Sequence, residues 1–425
     1  MNAQVDRTHP APGFSSARTR TPAAPVALAV IATHPIQYHA PVFQALARSE
    51  RLRLRVFYTW SQTAQGAVVD SGFRQVVTWD IPLLEGYPFE FVANVARRPG
   101  TERFWGLRNP GLNRAISAWQ PDAILVLGWY GASHLSALRH FKNRVPVLFR
   151  GESTLLDPIP AWRKAARRGF LRWVYRHVDM SIALGSNNRD YYRWCGVPEE
   201  RIALAPYVID TERFADPAGT HQRRASEWRQ ELGIATDARV VLFAGKLQPK
   251  KDPLLLLEAF LACGAAGELV FAGAGVLEGE LRARAQGHAH VHFLPFQNQQ
   301  AMPAVYRLGD VFVLPSRGPG ETWGLAVNEA MACARATIAS DRVGGARDLL
   351  TEGVTGWTFE AGNREGLSAA LRRALTCEGR TLLEIGAAAQ RESARWSIRA
   401  AAEGIEDAVL RLMQTRSIEQ GVHPG

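Results

Sequence analysis

The sequence predicts two successive doubly wound α/β domains, and three observations carry that expectation. Short unbroken apolar runs recur between helix-patterned stretches, the series restarts after a polar interval, and 425 residues exceed what one core fills, so two domains of roughly 200 residues are expected. The runs of the first half are 25–32, 54–58, 123–127, 145–149 and 180–183. They are rich in Val, Ile and Leu and do not alternate with polar residues, which marks parallel strands buried on both faces. The second half repeats the pattern at 240–244, 269–272, 291–294, 311–314 and 337–339, with helical stretches such as 252–262 between the runs. The polar interval 211–230 follows Pro206 to Asp210, which places a first domain at 24–210 and a second at 211–425. The final helices, from about 367 to 415, carry apolar residues at helical spacing and are expected to pack back in part on the first domain. In such sheets ligands bind at the carboxyl ends of strands near switch points, so the site belongs in the cleft between the domains.

Composition narrows the classes. The net charge of +10 comes from 50 basic against 40 acidic residues, nearly all the basic ones Arg, which suits phosphate or membrane surfaces and does not require nucleic acid. Cys195, Cys263, Cys333 and Cys377 lie far apart with no metal-ligand spacing, so neither a disulfide framework nor a zinc site is expected and a reducing cytoplasm fits. Segment 24–32 reads as a buried strand rather than a signal peptide core, because a polar turn follows and no small-residue cleavage site does. No stretch approaches the ~18 apolar residues of a membrane span. Residues 1–23, rich in Pro, Ala, Thr, Ser and Arg, read as a disordered tail.

The most informative segment is 315–332. It sets Glu321 just after Gly318-Pro319-Gly320 and Glu329 inside a helix that starts near Trp323. Backbone N–H groups at a helix start attract phosphate, while carboxylates accept hydrogen bonds from hydroxyls, so the pair points to a phosphate carrying hydroxyl-rich groups, such as a nucleotide-sugar. The bland alternative is a capped surface helix with two solvated acids. The turn after run 240–244 holds Gly245, Lys246 and Lys251, with Asp252-Pro253 opening the next helix. Two ammonium groups there can neutralise a diphosphate leaving group; otherwise they are a solvated Lys-rich turn. Phe296 follows run 291–294, where backbone groups can read a base edge. No Asp-x-Asp pair occurs, so a bridging divalent metal is not indicated.

The ordered set Gly245-Lys246-x4-Lys251, Gly273-x-Gly275, Pro315-Ser316, Glu321-x7-Glu329 and Gly344-Gly345-x2-Asp348 resembles the retaining glycosyltransferases of GT-B fold, glycosyl transferases group 1 with the E-x7-E motif, the family of sucrose synthase and bacterial mannosyltransferases. The likeness is dense in the second domain and looser in the first, through Asn188 to Phe214. It implies two Rossmann-like domains facing a central cleft, an acceptor domain followed by a donor domain. It further implies metal-independent, hexosyltransferase-type transfer from a nucleotide-diphosphate sugar, with no cofactor. Lys246 and Lys251 would meet the diphosphate, Glu321 the donor sugar, and Glu329 the ribose. Gly245, Phe296, Gly320, Thr322, Trp323, Gly324 and Leu325 complete the expected donor contacts. Lys246 stands where the family usually has Arg, Asp348 where it has Glu, and Ala334 and Ala336 replace a common Gly and Pro. The family's histidine beside the reacting sugar has no counterpart; segment 149–154 offers Arg150 or Glu152 instead, and Arg150 joins Glu321, Lys246 and Lys251 as a candidate catalytic residue.

In the first domain, His34, Gln37 and His39 follow the first strand and can meet an acceptor, or pack locally. Trp129 can stack on a sugar or fill the core. Segment 162–177 sets Trp162, Ala166, Phe170 and Val174 at fourfold spacing against Lys164, Arg168, Arg172 and Arg176. It reads either as a basic helix lying on anionic lipid, which suits a lipid-linked acceptor in polysaccharide or glycolipid synthesis at the inner membrane face, or as a core helix with a solvated basic face. A nucleotide-sugar epimerase or hydrolase, and a non-catalytic nucleotide-binding subunit, are the rival functions on the same scaffold.

Overall fold

The computed structural model describes residues 24–61, 68–70 and 75–419; the tail expected at 1–23 lies outside the described residues. In chain order the first half runs β1 (Val26–Ala32), α1 (Ala40–Ala47), β2 (Leu52–Tyr58), a hairpin of β3 (Val68–Asp70) and β4 (Gln75–Val77), β5 (Phe89–Phe91), α2 (Leu112–Trp119), β6 (Ala123–Leu127), α3 (Ala132–Phe141), β7 (Val147–Arg150), α4 (Ala161–Tyr175), β8 (Met180–Ala183), α5 (Ser186–Trp194) and β9 (Ile202–Leu204). These strands, the hairpin apart, form one parallel sheet in the order β5-β2-β1-β6-β7-β8-β9. The second half runs α6 (Thr220–Glu231), β10 (Val240–Ala244), α7 (Pro253–Cys263), β11 (Glu268–Ala272), α8 (Glu278–Arg284), β12 (Val291–Leu294), α9 (Met302–Leu308), β13 (Val311–Leu314), α10 (Leu325–Ala332), β14 (Ala336–Ser340), α11 (Ala346–Leu349), β15 (Gly356–Phe359), α12 (Arg364–Thr376), α13 (Gly379–Arg395) and α14 (Ile398–Glu419). Its sheet is parallel in the order β12-β11-β10-β13-β14-β15.

Each of the apolar runs read from the sequence falls on a strand, and each sheet has helices on both faces, the GT-B architecture. The strands without a sequence signal are β5, β9 and β15 at the sheet edges and the β3–β4 hairpin. These strands are only three or four residues long, too short to stand out as an apolar run, whereas the remaining edge, β12, is the run 291–294. In both sheets the chain reverses direction beside its first strand: β1 lies between β2 and β6, and β10 between β11 and β13. The loops that leave β1, β10 and β13 therefore open at switch points, where side chains can enter a cleft without breaking a ladder.

The seam between the domains is close-packed. A Cβ at Gly185 of the first domain would meet the Trp323 ring at 2.4 Å and the Asp348 Oδ2 at 2.7 Å, both of the second. The Asp348 carboxylate accepts the Ser186 backbone N–H at 3.0 Å, at the start of α5, and Asn187 donates to the Gly344 carbonyl at 2.8 Å. Asp348, which stands in for Glu, thus ties the two halves together. The chain then returns: Ala401, Ile405 and Val409 of α14 are buried in the cluster formed by α1, β1 and β2, and Glu406 pairs with Arg51 at 2.9 Å.

Helix α4 departs from the expected pattern. Trp162 is 68% and Phe170 44% exposed, and every residue from 161 to 170 is exposed. Only Leu171, Val174 and Tyr175 are buried, because the helix reaches the first sheet only at its C-terminal end. A core-facing stripe along its whole length is therefore ruled out.

Since Ile405 is 2% exposed, Ile405→Ala should cost about 2–5 kcal/mol of stability through lost contacts and an unfilled cavity. Urea denaturation reads this directly; an unchanged midpoint would show that α14 contributes nothing to the first domain's core.

A candidate active site in the cleft

The switch-point loops surround a cavity of about 380 Å³. From the loop after β10 come Gly245, Lys246 and Lys251, and from the segment between β13 and α10 come Gly320, Glu321, Thr322, Trp323 and Gly324. Leu325 and Glu329 of α10, Phe296 after β12, and Gln37 after β1 line it too. Every expected donor contact and one expected acceptor contact thus share one cavity.

Glu321 sits on the floor, 8% exposed. The Lys251 ammonium lies 2.6 Å from its Oε2 and the Ser316 hydroxyl donates to the same oxygen at 3.0 Å. A carboxylate withdrawn from water needs such partners, and both of these take Oε2, so Oε1 is the atom that can accept from a ligand hydroxyl. Across the seam, Asp157 of the first domain accepts the Gly320 backbone N–H at 2.9 Å, so the glycine loop is held from both domains. Gly324 has φ of 89°, which turns the chain into α10 immediately beside the acids.

Glu329 is more deeply set, 4% exposed. Its Oε2 accepts the Tyr306 hydroxyl at 2.6 Å and its Oε1 the Tyr38 hydroxyl at 3.3 Å. Burial raises its pKa, against the lowering effect of Tyr306 and of Arg213. The two acids are therefore unlike: Glu321 is in contact with an ammonium, whereas Glu329 is hydrogen-bonded to two neutral hydroxyls, with Arg213 and Lys251 acting on it only through their charge. Trp323, 3% exposed, donates its ring N–H to Asn328 at 2.8 Å and packs against Tyr207 and Trp396, which fixes the wall between them.

Several first-domain expectations are corrected. Arg150 does not line the cavity; its guanidinium donates to the carbonyls of Ala205 and Pro206 at 2.8 and 3.0 Å, so it holds the segment that leaves β9 for the second domain, and the expected catalytic position is not where it sits. Glu152, its alternative, does line the cavity and accepts the Tyr207 hydroxyl at 2.8 Å. His34 packs edge-on against Trp60 and lies outside the lining. His39 sits at the start of α1 against Phe43 and Tyr207. Its desolvated ring, with Arg150 adding repulsion, has its pKa held down to about 3, so it is neutral and structural. Trp129 packs against Tyr130 and Phe170, also outside the lining. Tyr38, Trp79, Tyr207 and Tyr306, absent from the sequence reading, are part of the wall. Tyr306 reads as ordinary core in a short helix; the only available signal was that a buried Tyr hydroxyl needs a partner.

Known proteins resemble the chain over these same elements. The family described as Glycosyl transferases group 1 matches residues 225–392, and the Glycosyl transferase 4-like domain matches residues 73–208. The D-inositol 3-phosphate glycosyltransferase of Geodermatophilus obscurus is 36% identical over 47% of this chain and 44% of its own length. That of Rhodococcus erythropolis is 34% identical over 80% of this chain and 81% of its own. The chain thus spans only about half the length of the first curated relatives it matches. Anabaena HepE, solved in complex with UDP and glucose, shares the fold at a TM-score of 0.66 with 19% identity, over 91% of this chain and 100% of HepE.

A buried acid with a raised pKa holds its proton more tightly folded than unfolded. Glu329 therefore costs stability as pH rises from the ordinary value of 4.5 toward its folded value. Glu329→Gln should remove that loss, so that the variant gains on the wild type in urea titrations as pH rises above 4.5. A variant that loses ground as pH rises would mean that the ionised carboxylate is the better satisfied form.

Proposed function

We propose that this chain, which belongs to the glycosyl transferases group 1 family, moves a sugar from a nucleotide-diphosphate donor to a hydroxyl acceptor with retention at the anomeric carbon. The observation that carries the reading is the convergence of Lys246, Lys251, Glu321 and Glu329 on one cavity between two Rossmann-like domains. HepE was solved with UDP and glucose, the donor chemistry expected for such a cavity.

In this reading the donor diphosphate lies between the two lysines and the start of α10, where ammonium charge and the helix dipole oppose the charge that grows as the anomeric C–O bond breaks. The supply of that charge by side chains makes a bridging divalent ion unnecessary. Glu321 accepts hydrogen bonds from donor sugar hydroxyls, while Lys251 stays within reach of the leaving phosphate. Glu329 takes the ribose hydroxyls, exchanging the weak bond from Tyr38 for the ligand's. The acceptor hydroxyl approaches the same face that the phosphate leaves. Its oxygen bonds the anomeric carbon, and its proton passes to the departing phosphate oxygen, so atoms and charge balance without a protein nucleophile. The protein's part is positioning and leaving-group electrostatics.

The acceptor side suits polysaccharide or glycolipid synthesis at the inner membrane face. What supports this is α4: Trp162 and Phe170 stand exposed in a stretch that includes Arg163, Lys164, Arg167 and Arg168 and contains no acid. Exposed aromatic rings among cations are the composition of a helix that lies on anionic lipid. Among the described residues no helix is long and apolar enough to cross a membrane, so the contact would be peripheral. The free cysteines accord with a reducing cytoplasm.

Lys251→Ala and Glu321→Ala should each lower donor-dependent release of nucleoside diphosphate about 10²-fold or more, with product anomers read by NMR; full turnover in folded variants would refute the site. Arg163, Lys164, Arg167 and Arg168 replaced together by Glu should abolish co-sedimentation with phosphatidylglycerol vesicles, and equal binding by both proteins would refute the membrane contact.

A further inference from the structure

The curated relatives are named for a phosphorylated acceptor, inositol 3-phosphate. The first-domain wall of this cleft has a different chemistry. It is formed by Gln37, Tyr38, Trp79, Glu152 and Tyr207, and Glu152 is its one charged residue among the described residues. The cations that line the cavity, Lys246 and Lys251, both belong to the second domain, and Lys251 is already paired with Glu321 at 2.6 Å. Arg150, two residues before Glu152, is 7% exposed and directs two guanidinium nitrogens at backbone carbonyls behind the wall. It lowers the electrostatic cost of Glu152 without offering donors to the cleft.

Glu152 itself lines the cleft with its residue surface open; the loss of water around its carboxyl raises its pKa, and the Tyr207 hydroxyl, which donates to Oε1 at 2.8 Å, and the Arg150 charge oppose that rise and favour the ionised form. Tyr207 is in turn held between Tyr38 and Trp323, so the carboxylate is placed by a rigid wall. An ionised carboxylate accepts hydrogen bonds and donates none. It matches hydroxyl groups; a phosphate on the same wall would meet like charge and, among the described residues of that wall, no cationic donor.

We propose that Glu152 sets acceptor selectivity, admitting an uncharged polyol or sugar ring at the reacting position and rejecting a ring that carries a phosphate. This chain would then differ in acceptor class from the relatives named for inositol 3-phosphate. The inference rests on the reading of the cleft as the transfer site.

The test titrates D-myo-inositol 3-phosphate and unphosphorylated myo-inositol into the full-length wild type and Glu152→Gln by calorimetry, with UDP or GDP present, whichever raises the melting temperature. Gln keeps an acceptor for the Tyr207 hydroxyl and removes only the charge; Glu152→Ala serves as the second variant. Glu152→Gln should bind the phosphorylated ring about tenfold or more tighter than the wild type does, while affinity for the neutral ring changes much less. Equal binding of the phosphorylated ring by wild type and variants overturns the proposal, and so does its failure to bind any of them, because Glu152 would then not be what excludes it. Nucleoside diphosphate release from the donor is followed in the same proteins. Its absence in the wild type would remove the transferase reading itself, whereas its presence without the charge switch removes only the role of Glu152.

Discussion

Two carboxylates held almost out of water within one cleft are the constraint on which the arrangement depends. A buried carboxylate is tolerated only with hydrogen-bond or ionic partners close by, and the fold supplies them differently to each. Glu321 has Lys251 and Ser316; Glu329 has Tyr306 from its own domain and Tyr38 from the other. Because Tyr38 lies on the far side of the cleft, full satisfaction of Glu329 requires the domains to stay apposed or a ligand to take the place of Tyr38. Donor binding and domain apposition are therefore linked through the same oxygen atoms.

The rest of the seam fits that requirement. Asp348 on the start of α5, Asn187 on Gly344, and Asp157 on Gly320 tie first-domain loops to the segments that carry the acids. Arg347 adds an ion pair to Asp190 at 2.6 Å, partly exposed and so worth little by itself. The returning helix α14 buries Ile405 and Val409 on the first sheet and limits how far the domains can part. Gly185 leaves room across the seam for the Trp323 ring, and Gly344 lets its own loop close on Thr322 within the second domain, at places where any side chain would collide.

Much of this was legible in the chain. The unbroken apolar runs identified the inner strands because a strand covered on both faces has no polar side to display. Glu321, the lysines and the glycines of the second domain were legible because they are local, in loops that directly follow a strand, and Glu329 because it lies in the helix that the β13 loop leads into, so strand position predicts cleft position. The edge strands β5, β9 and β15, three or four residues each, had no such signal. Nor did the tyrosines, since Tyr306 lies in α9, far from Glu329 in sequence, and its role appears only where α9 packs beside α10.

The first domain shows where sequence stops. Arg150 ends β7 and Glu152 lies two residues beyond it, and either could have faced the cleft. Packing of the crossover at Ala205 and Pro206 took the guanidinium and left the carboxylate on the wall. In the same way α4 has helical spacing throughout, yet only its last turns touch the sheet. By itself the sequence determined two parallel α/β domains, the donor-side loops, and the residue types available for phosphate and hydroxyl recognition, because these follow from local periodicity and strand-end loops. The tertiary structure alone decided which first-domain side chains reach the cleft, what satisfies the buried acids, and which helix face stays bare. Those outcomes depend on contacts between residues far apart in the chain, where burial, not local pattern, selects the partner.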